Sequence, residues 1–379
     1  MRILSLHSSY LSGPVSGENR VVKDEAKLLR SAGHKVEVWS PEPKASGVLP
    51  LVNTAIGMVW SRSAARYTRE LIREFSPDVV HCHNLFPALS PAVINAANDF
   101  PVVMTLHNYR LACLPGTLFR DGQICELCLG GGIASGIRYA CYRSSHTASA
   151  TLGTSLMLHR KLGTFEKVSI FVAISEFLKS TMQRGGIARD RMIVKPHFAW
   201  PTPRRDGPGD YFLFMGRLVP EKGIEFLADL WDSSLDRLFV AGAGPLASKL
   251  QDSRTKGVEF LGALPWDELD GLVRNARALL VPSLWHEAAG KVVLEAYASG
   301  VPVVVADAGA LPEVVVNGES GLVVPSQEPQ GWRSAIKRLK EDSESLRMGS
   351  NAYELWSRRY SPAEGIRRLE EVYARAMDT

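Results

Sequence analysis

Short, nearly continuous apolar runs alternate with longer segments in which apolar residues recur every three to four positions. The alternation repeats along almost the whole chain of 379 residues. The first run is Arg2–Leu6. A loop with Ser12, Gly13, Ser16 and Gly17 follows, then a helical-period segment carrying Val21, Val22, Ala26, Leu28, Leu29 and Ala32. Gly33 stands where a helix C-cap glycine belongs, and Lys35–Trp39 alternates as a strand. Strand, helix, strand is the seed of a parallel sheet. The pattern continues with a helix near 56–75, a strand at 79–81, a helix near 90–97 and strand Val102–Leu106. After an irregular insertion come a helix near 148–162, a strand at 169–174, helix Glu176–Arg184 and a strand at 192–195.

Residues 199–210, AWPTPRRDGPGD, are rich in proline and glycine and read as a linker. Alternation then restarts: Tyr211–Met215 as strand, a helix near 221–230, strand Arg237–Ala241, a strand at 258–261, helix Trp266–Asn275, strand Ala278–Val281, helix Lys291–Ala298 and a strand at 303–305. Helices fill most of 330–377. The expectation is an α/β protein of two doubly wound, Rossmann-like domains facing across a cleft. Its parts are residues 1–198 with a cysteine-rich insertion at about 109–145, the linker 199–210, a second domain 211–360, and a final helix 361–379. In such sheets ligands bind beyond the carboxyl ends of the strands.

Composition changes this picture little. Hydrophobic residues make up 45% and charged residues 22%, as in soluble domains. No apolar run reaches the ~18–20 residues of a membrane span. The N-terminus, MRILSLHSS, lacks the layout of a signal peptide, so a cytoplasmic protein is expected. Charge adds more. Residues 1–200 hold 23 Lys+Arg against 14 Asp+Glu, and residues 201–379 hold 21 against 26. The basic first half suits an anionic partner or the inner face of a membrane, touched peripherally, although scattered surface cations would give the same balance. No groove-reading motif accompanies the charge, so nucleic acid is not expected.

The chemistry gathers at strand ends. Strand Ala278–Val281 runs into Pro282, Ser283, Leu284, Trp285, His286 and Glu287, and a helix starts around Ala289, Gly290 and Lys291. A helix start presents unpaired N–H groups and a positive dipole end, which suit phosphate, and Gly290 would let phosphate come close to the backbone. Glu287 before the helix and Glu295 within it can face different parts of one ligand, and a carboxylate at Glu295 matches a ribose diol. After Tyr211–Met215, Arg217 and Lys222 put two cations on one strand-to-helix turn, where they can stabilise a departing diphosphate. A third turn, with Gly242 and Gly244, leaves room for a ligand. Taken singly, each of these is more often a solvated charge or a plain turn; their ordered combination favours function.

That ordered set, GRLVPEKG, VAGAGP, VPSLWHEAAGKVVLEAYASGVPVV and AGALPEVVVNGESGLVV, resembles glycosyltransferase family 4, as do SGENRVV, LLRSAGHKVEV and DVVHCHN in the first half. The Glu-x7-Glu pair is the most specific part. The resemblance implies the two-domain GT-B fold, with an acceptor-side first domain, a nucleotide-sugar-binding second domain, and the last helix packing back on the first. It implies a retaining hexosyltransferase that moves sugar from a nucleotide-diphosphate donor to a hydroxyl of a saccharide, lipid-linked or small-molecule acceptor, as in polysaccharide or glycoconjugate biosynthesis. No cofactor is required for catalysis. Arg217 and Lys222 would bind diphosphate, with Gly290, Lys291 and Gly242 beside them; Glu295 would hold the ribose, and Glu287 would lie by the transferred sugar. His107, directly after Val102–Leu106, would serve the sugar or acceptor, ranking above His81 and His83, which read as packing histidines. Relatives usually carry Gly-Gly where this chain has Ser16 and Gly17, an aromatic residue at Ala289 and an apolar one at Lys291; these departures bear on the acceptor or phosphate loop and on donor choice.

Four cysteines, Cys113, Cys125, Cys128 and Cys141, lie in the insertion as C-x11-C-x2-C-x12-C, while Cys82 stands apart as a small hydrophobe. Their number fits a structural zinc or iron–sulfur site, and free thiols are the alternative. The insertion follows His107 and Asn108, which suggests a lobe that shapes acceptor choice. Two other functions compete with the main reading: a nucleotide-sugar epimerase on the same fold, against which the Glu-x7-Glu segment argues, and a non-catalytic sugar-nucleotide or metal-binding module, against which the retained Glu287, Arg217, Lys222 and His107 argue.

Overall fold

In a computed structural model of the chain, residues 1–9, 17–42, 48–187, 190–232, 234–252 and 255–379 are described, the side chains of 48–53 set aside. They form two compact units. The first comprises Met1–Leu118, Cys125–Pro196 and Gly365–Thr379; the second comprises Phe119–Ile124 and His197–Glu364. In chain order the strands are β1 (Arg2–Leu6), β2 (Lys35–Trp39), β3 (Val79–Cys82), β4 (Val102–Leu106), β5 (Phe119–Arg120), β6 (Gln123–Ile124), β7 (Ile170–Ala173) and β8 (Met192–Val194). They continue with β9 (Tyr211–Met215), β10 (Arg237–Ala241), β11 (Val258–Gly262), β12 (Ala278–Val281), β13 (Val303–Ala306) and β14 (Gly321–Val324).

The first unit has a six-stranded sheet in the order β2-β1-β3-β4-β7-β8, and the second one in the order β11-β10-β9-β12-β13-β14; both are parallel throughout. Parallel strands are covered on both faces, which is why they read as continuous apolar runs rather than alternations. Val102 and Val103 are fully buried, as are Val303, Val304 and Val305. Strand order reverses between β1 and β3 in the first sheet and between β9 and β12 in the second. A crevice for ligand opens at such switch points. The expected pair of doubly wound, Rossmann-like sheets is therefore present.

The differences from the sequence expectation have local causes. The helix expected near 56–75 is two helices, Val48–Val59 and Arg62–Phe75. Ser61 caps the second by accepting the Ala64 N–H at 3.1 Å, and such a cap is worth ~1 kcal/mol. The helix expected near 221–230 is a 3₁₀ turn, Pro220–Lys222, then Ile224–Leu230, because Gly223 between them is left-handed (φ 70°). Strand β14 lay outside the expectation. The irregular insertion contains the β5–β6 hairpin and short helices Leu127–Gly131 and Ala134–Arg138.

Residues 199–210 are not a loose tether. Ala199 is buried, its N–H donates to Tyr360 O and its carbonyl accepts the Trp356 indole N–H. Buried Arg205 donates to Ser345 Oγ at 3.0 Å. The prolines and glycines bend the segment over the second unit. The last helix, Pro362–Met377, returns to the first unit from Gly365 onward, as expected. There Glu370 meets His34 Nε2 at 2.9 Å and the Tyr373 hydroxyl meets His81 Nδ1 at 2.9 Å. Among the described residues no helix is long and apolar enough to cross a membrane.

Candidate functional site

In the second unit the loops after β9 and β12 are bolted together by backbone. A Cβ on Gly223 would come 1.9 Å from Pro282 O, so only glycine allows the approach. The Leu284 N–H donates to Glu221 O at 2.9 Å across the same seam. This contact brings Lys222 to Glu287: Nζ donates to Oε1 at 2.6 Å, and the Ser283 hydroxyl donates to the same oxygen at 2.6 Å. Burial drives the Glu287 carboxyl toward its neutral form, but the charge and hydrogen bond of Lys222, with Ser283, outweigh it and hold the group below the ordinary carboxylate value. Lys222 keeps part of its surface exposed and lies 5.1 Å from the centre of the Trp285 ring.

The loop after β13 supports Glu287 from behind. Ala310 N–H donates to Glu287 O at 2.8 Å, and a Cβ on Gly309 would lie 2.4 Å from that oxygen. Gly290 is left-handed (φ 70°) and caps helix Lys291–Ala298. Its lack of a side chain is thus demanded by the backbone itself, where phosphate approach alone was the expected reason. Within the helix, Lys291 Nζ sits 3.6 Å from Glu295 Oε1, and Glu295 is buried. Ala289 is half-buried on the turn. Arg217 is exposed and pairs with Glu221 at 3.1 Å.

Gly242 differs from its expected part. A Cβ there would come 1.8 Å from Gly216 O, and one on Gly244 2.3 Å from Leu218 O. The space left by the missing side chains is filled by the loop after β9, not reserved for a ligand. These glycines set the path of the Arg217 turn.

In the first unit, His107 follows β4 and lies buried, its Nε2 3.0 Å from His83 Nδ1 with the rings stacked at 5.3 Å. Both histidines line a small cavity with Glu18, Asn84, Asn108 and Arg110. Asn108 Nδ2 donates to Glu18 Oε1 at 2.5 Å. Gly17 is the exposed first residue of helix Gly17–Ser31; Ser16 lies outside the described residues. His81 fits its packing role, with Nδ1 at Tyr373 and Nε2 2.8 Å from Thr105 Oγ1. His83 does not: it lines the cavity beside His107, which the sequence ranked above it.

Beneath these rings lies a fully buried ion pair, Lys195 with Glu25. Burial raises the Glu25 carboxyl, but the charge and hydrogen bond of Lys195 prevail and its pKa falls below the usual value. Burial pushes His81 down to about 4, His83 well below its ordinary value, and His107 lower as well. Glu25, His81 and His83 have ligand atoms within 4.8 Å of one another. Lys195 already supplies the cation there and both His81 nitrogens are bonded, so the group is a closed polar core rather than a metal site. Sequence reading missed Ser283, Gly309, Glu18 and the Glu25–Lys195 pair. Gly309 had a signal, as the glycine of AGALPE; the buried pair, 170 positions apart in the chain, had none.

Two family models match the chain. The model for glycosyl transferases group 1 covers residues 201–355, and that for glycosyltransferase family 4 covers residues 15–198. Over 177 residues the chain is 37% identical to a D-inositol 3-phosphate glycosyltransferase of Corynebacterium glutamicum, which is 42% of each chain; it thus spans about four-tenths of the length of such relatives. Solved structures that share its fold include sucrose-phosphate synthase of Thermosynechococcus elongatus (TM-score 0.72, 17% identity, 99% of this chain and 98% of that one) and Anabaena HepE in complex with UDP (0.67, 18%, 99% and 100%).

Proposed function

The chain belongs to glycosyltransferase family 4, and from that membership and the geometry of its strand-end loops we propose that it is a retaining glycosyltransferase using a nucleotide-diphosphate sugar. The observation that carries the reading is the Lys222–Glu287 pair, built where the loops after β9 and β12 meet at the strand-order switch. A buried carboxylate held ionised beside a half-exposed ammonium gives that crevice one fixed negative and one fixed positive group.

In this reading Lys222 and Arg217 meet the diphosphate, with the helix start at Gly290 and Lys291 beside it. Glu295 takes the ribose diol, and Glu287 lies by the sugar while orienting Lys222. Ala289 and Lys291 bear on which sugar is accepted. The anomeric carbon loses its bond to the diphosphate oxygen as the acceptor hydroxyl bonds to the same face, and the hydroxyl proton passes to the departing diphosphate. The two cations stabilise the charge that grows on the leaving oxygen, so the step itself requires no bound metal. His107 and Gly17 serve the sugar or acceptor. The basic balance of residues 1–200 supports an anionic acceptor, such as a phosphorylated cyclitol of the kind named for the Corynebacterium relative, or a lipid-linked saccharide met at a membrane's cytoplasmic face.

A panel of UDP-, GDP- and dTDP-sugars, scored by thermal shift and by donor hydrolysis, tests this. One nucleotide class is expected to raise Tm. Lys222→Met is expected to lower kcat/KM by ~10²–10³-fold, the loss seen when one charge-stabilising donor is removed. Glu295→Gln is expected to act chiefly on donor KM. If no nucleoside-diphosphate sugar stabilises the folded wild-type protein, the reading fails.

A further inference from the structure

The four cysteines of the insertion are organised by two peptide groups. The Leu118 N–H bonds to the Cys113 sulfur, and the Leu118 carbonyl accepts the Cys125 N–H at 2.8 Å. The Gly136 N–H bonds to the Cys128 sulfur, and the Gly136 carbonyl accepts the Cys141 N–H at 2.9 Å. Each residue therefore clasps one pair of cysteines, and Cys125-x2-Cys128 joins the pairs. The clasps touch: Leu114, next to Cys113, is fully buried, and a Cβ on Gly136 would sit 2.9 Å from its Cδ1.

The sulfurs share one field. The sulfurs of Cys113, Cys141 and Cys125 all lie within electrostatic reach of Cys128. The backbone N–H groups of Leu118, Gly116 and Thr117 converge on the Cys113 sulfur. N–H donors gathered around neighbouring sulfurs are the kind of outer shell that metal-bound thiolates require. Cys82, by contrast, is a fully buried thiol pushed up to about 12 by burial alone.

We propose that Cys113, Cys125, Cys128 and Cys141 form a structural tetrathiolate site for one Zn²⁺. A closed set of four sulfurs leaves no position for substrate, and the spacing matches no iron–sulfur pattern of closely set cysteines. Among the described residues the sulfurs are not within 4.8 Å of one another in any group of three, so they must close in on the ion. Zinc–sulfur bonds of ~2.3 Å set edges of ~3.8 Å, and one rotamer change moves a sulfur by roughly 3 Å. Cys125, Cys128 and Cys141 are only half-buried and have that freedom. Binding displaces four thiol protons and leaves a centre of charge −2, which the N–H groups of Gly116, Thr117, Leu118 and Gly136 face.

The site would brace the cavity wall. Tyr109 N–H donates to Gly116 O, the Cys113 N–H donates to Tyr109 O at 2.7 Å, and a Cβ on Gly116 would lie 2.9 Å from Asn108 Oδ1. Asn108 in turn holds Glu18.

Metal analysis of the full-length protein, purified without chelator from zinc-supplemented cells, tests this independently of any transferase activity. About one zinc per chain is expected, released when a mercurial modifies the thiols; Cys82→Ala should keep it and Cys128→Ser should lose most of it. Replacing zinc by Co²⁺ in the wild-type protein reads the site even if Cys128→Ser fails to fold, because tetrahedral thiolate ligation gives intense sulfur-to-cobalt bands. Iron with acid-labile sulfide, two disulfides, or five free thiols without metal would each overturn the proposal.

Discussion

At the strand ends of the first unit side-chain hydrogen bonds join the backbone ones that hold the loops; at those of the second, backbone is pressed directly on backbone. Asn84 Nδ2 donates to Ser8 O, Asn108 donates to Glu18, and His83 bonds to His107. Glycines at 223, 242, 244 and 309 instead let main-chain atoms of adjacent loops in the second unit meet with nothing between them. The first arrangement puts titratable groups in the load path. The second depends less on titratable groups and has no room for a Cβ at those four glycines. Charge follows the same division: Glu25 and Lys195 neutralise each other out of solvent, whereas Glu287 is buried and its partner Lys222 stays partly exposed. A polar core matched within itself serves shape; a half-exposed cation beside a fixed carboxylate is kept available for a ligand.

Alanine at single glycines should break this contrast most sharply. At Gly242 the new Cβ would stand 1.8 Å from Gly216 O, and backbone must move. The expected loss is ~4 kcal/mol, at the upper end for a point change, together with displacement of the Arg217 turn. At Gly17 nothing lies within 4 Å, and Gly17→Ala should stay within ~0.5 kcal/mol of the wild type. Urea unfolding of both variants measures this; equal, small effects would contradict the backbone-built description of the second unit.

Legibility in the sequence divides along the same line. Both sheets were readable because fully buried parallel strands leave continuous apolar runs, as at Val102–Leu106 and Ala278–Val281. The Glu287, Lys222 and Gly290 turns were readable because a loop built of glycine and charge has a local spelling. The polar core of the first unit was not. Glu25, His81 with His83, Lys195 and Tyr373 come from four separate segments of the chain, and nothing near Glu25 distinguishes it from the solvated glutamates of any amphipathic helix. Gly242 was visible, but its cause, the carbonyl of Gly216, is a tertiary fact. The segment 199–210 shows a related limit: proline and glycine mark turns without saying whether those turns are packed.

Acid should loosen the first unit before the second. Burial holds His81 at about 4 and depresses His83, His107 and His7, so these rings stay neutral in the native state. Below the ordinary histidine value of 6.5 the unfolded chain takes up protons that the native chain refuses. Stability from this source is therefore complete above about pH 6.5 and is lost as the pH falls toward 4, by about 3 kcal/mol for His81 alone. Glu25 and Glu287, both lowered, add their losses only below the ordinary carboxylate range. Hydrogen exchange at pH 7 and pH 5, corrected for intrinsic rates, should show β3 and β4 losing protection while β9 and β12 keep theirs. Parallel loss in the two sheets would remove the distinction.

The smallest expected effect concerns His83, whose Nδ1 holds His107 Nε2 at 3.0 Å. One proton is shared by these two nitrogens, so the tautomer of either ring fixes that of the other. If His107 serves the sugar or acceptor, His83 acts through it as a positioning residue. His83→Ala removes a buried partner worth ~1–2 kcal/mol, so kcat should fall about tenfold, with donor KM unchanged because the proposed donor groups lie in the other unit. His83→Gln keeps a hydrogen-bonding amide at similar reach and should recover part of the rate. It should also flatten the acid limb of the pH–rate profile, since one of the two coupled rings no longer titrates. A purely structural histidine would lower Tm in both variants and leave kcat and that profile as they were in whatever fraction stays folded.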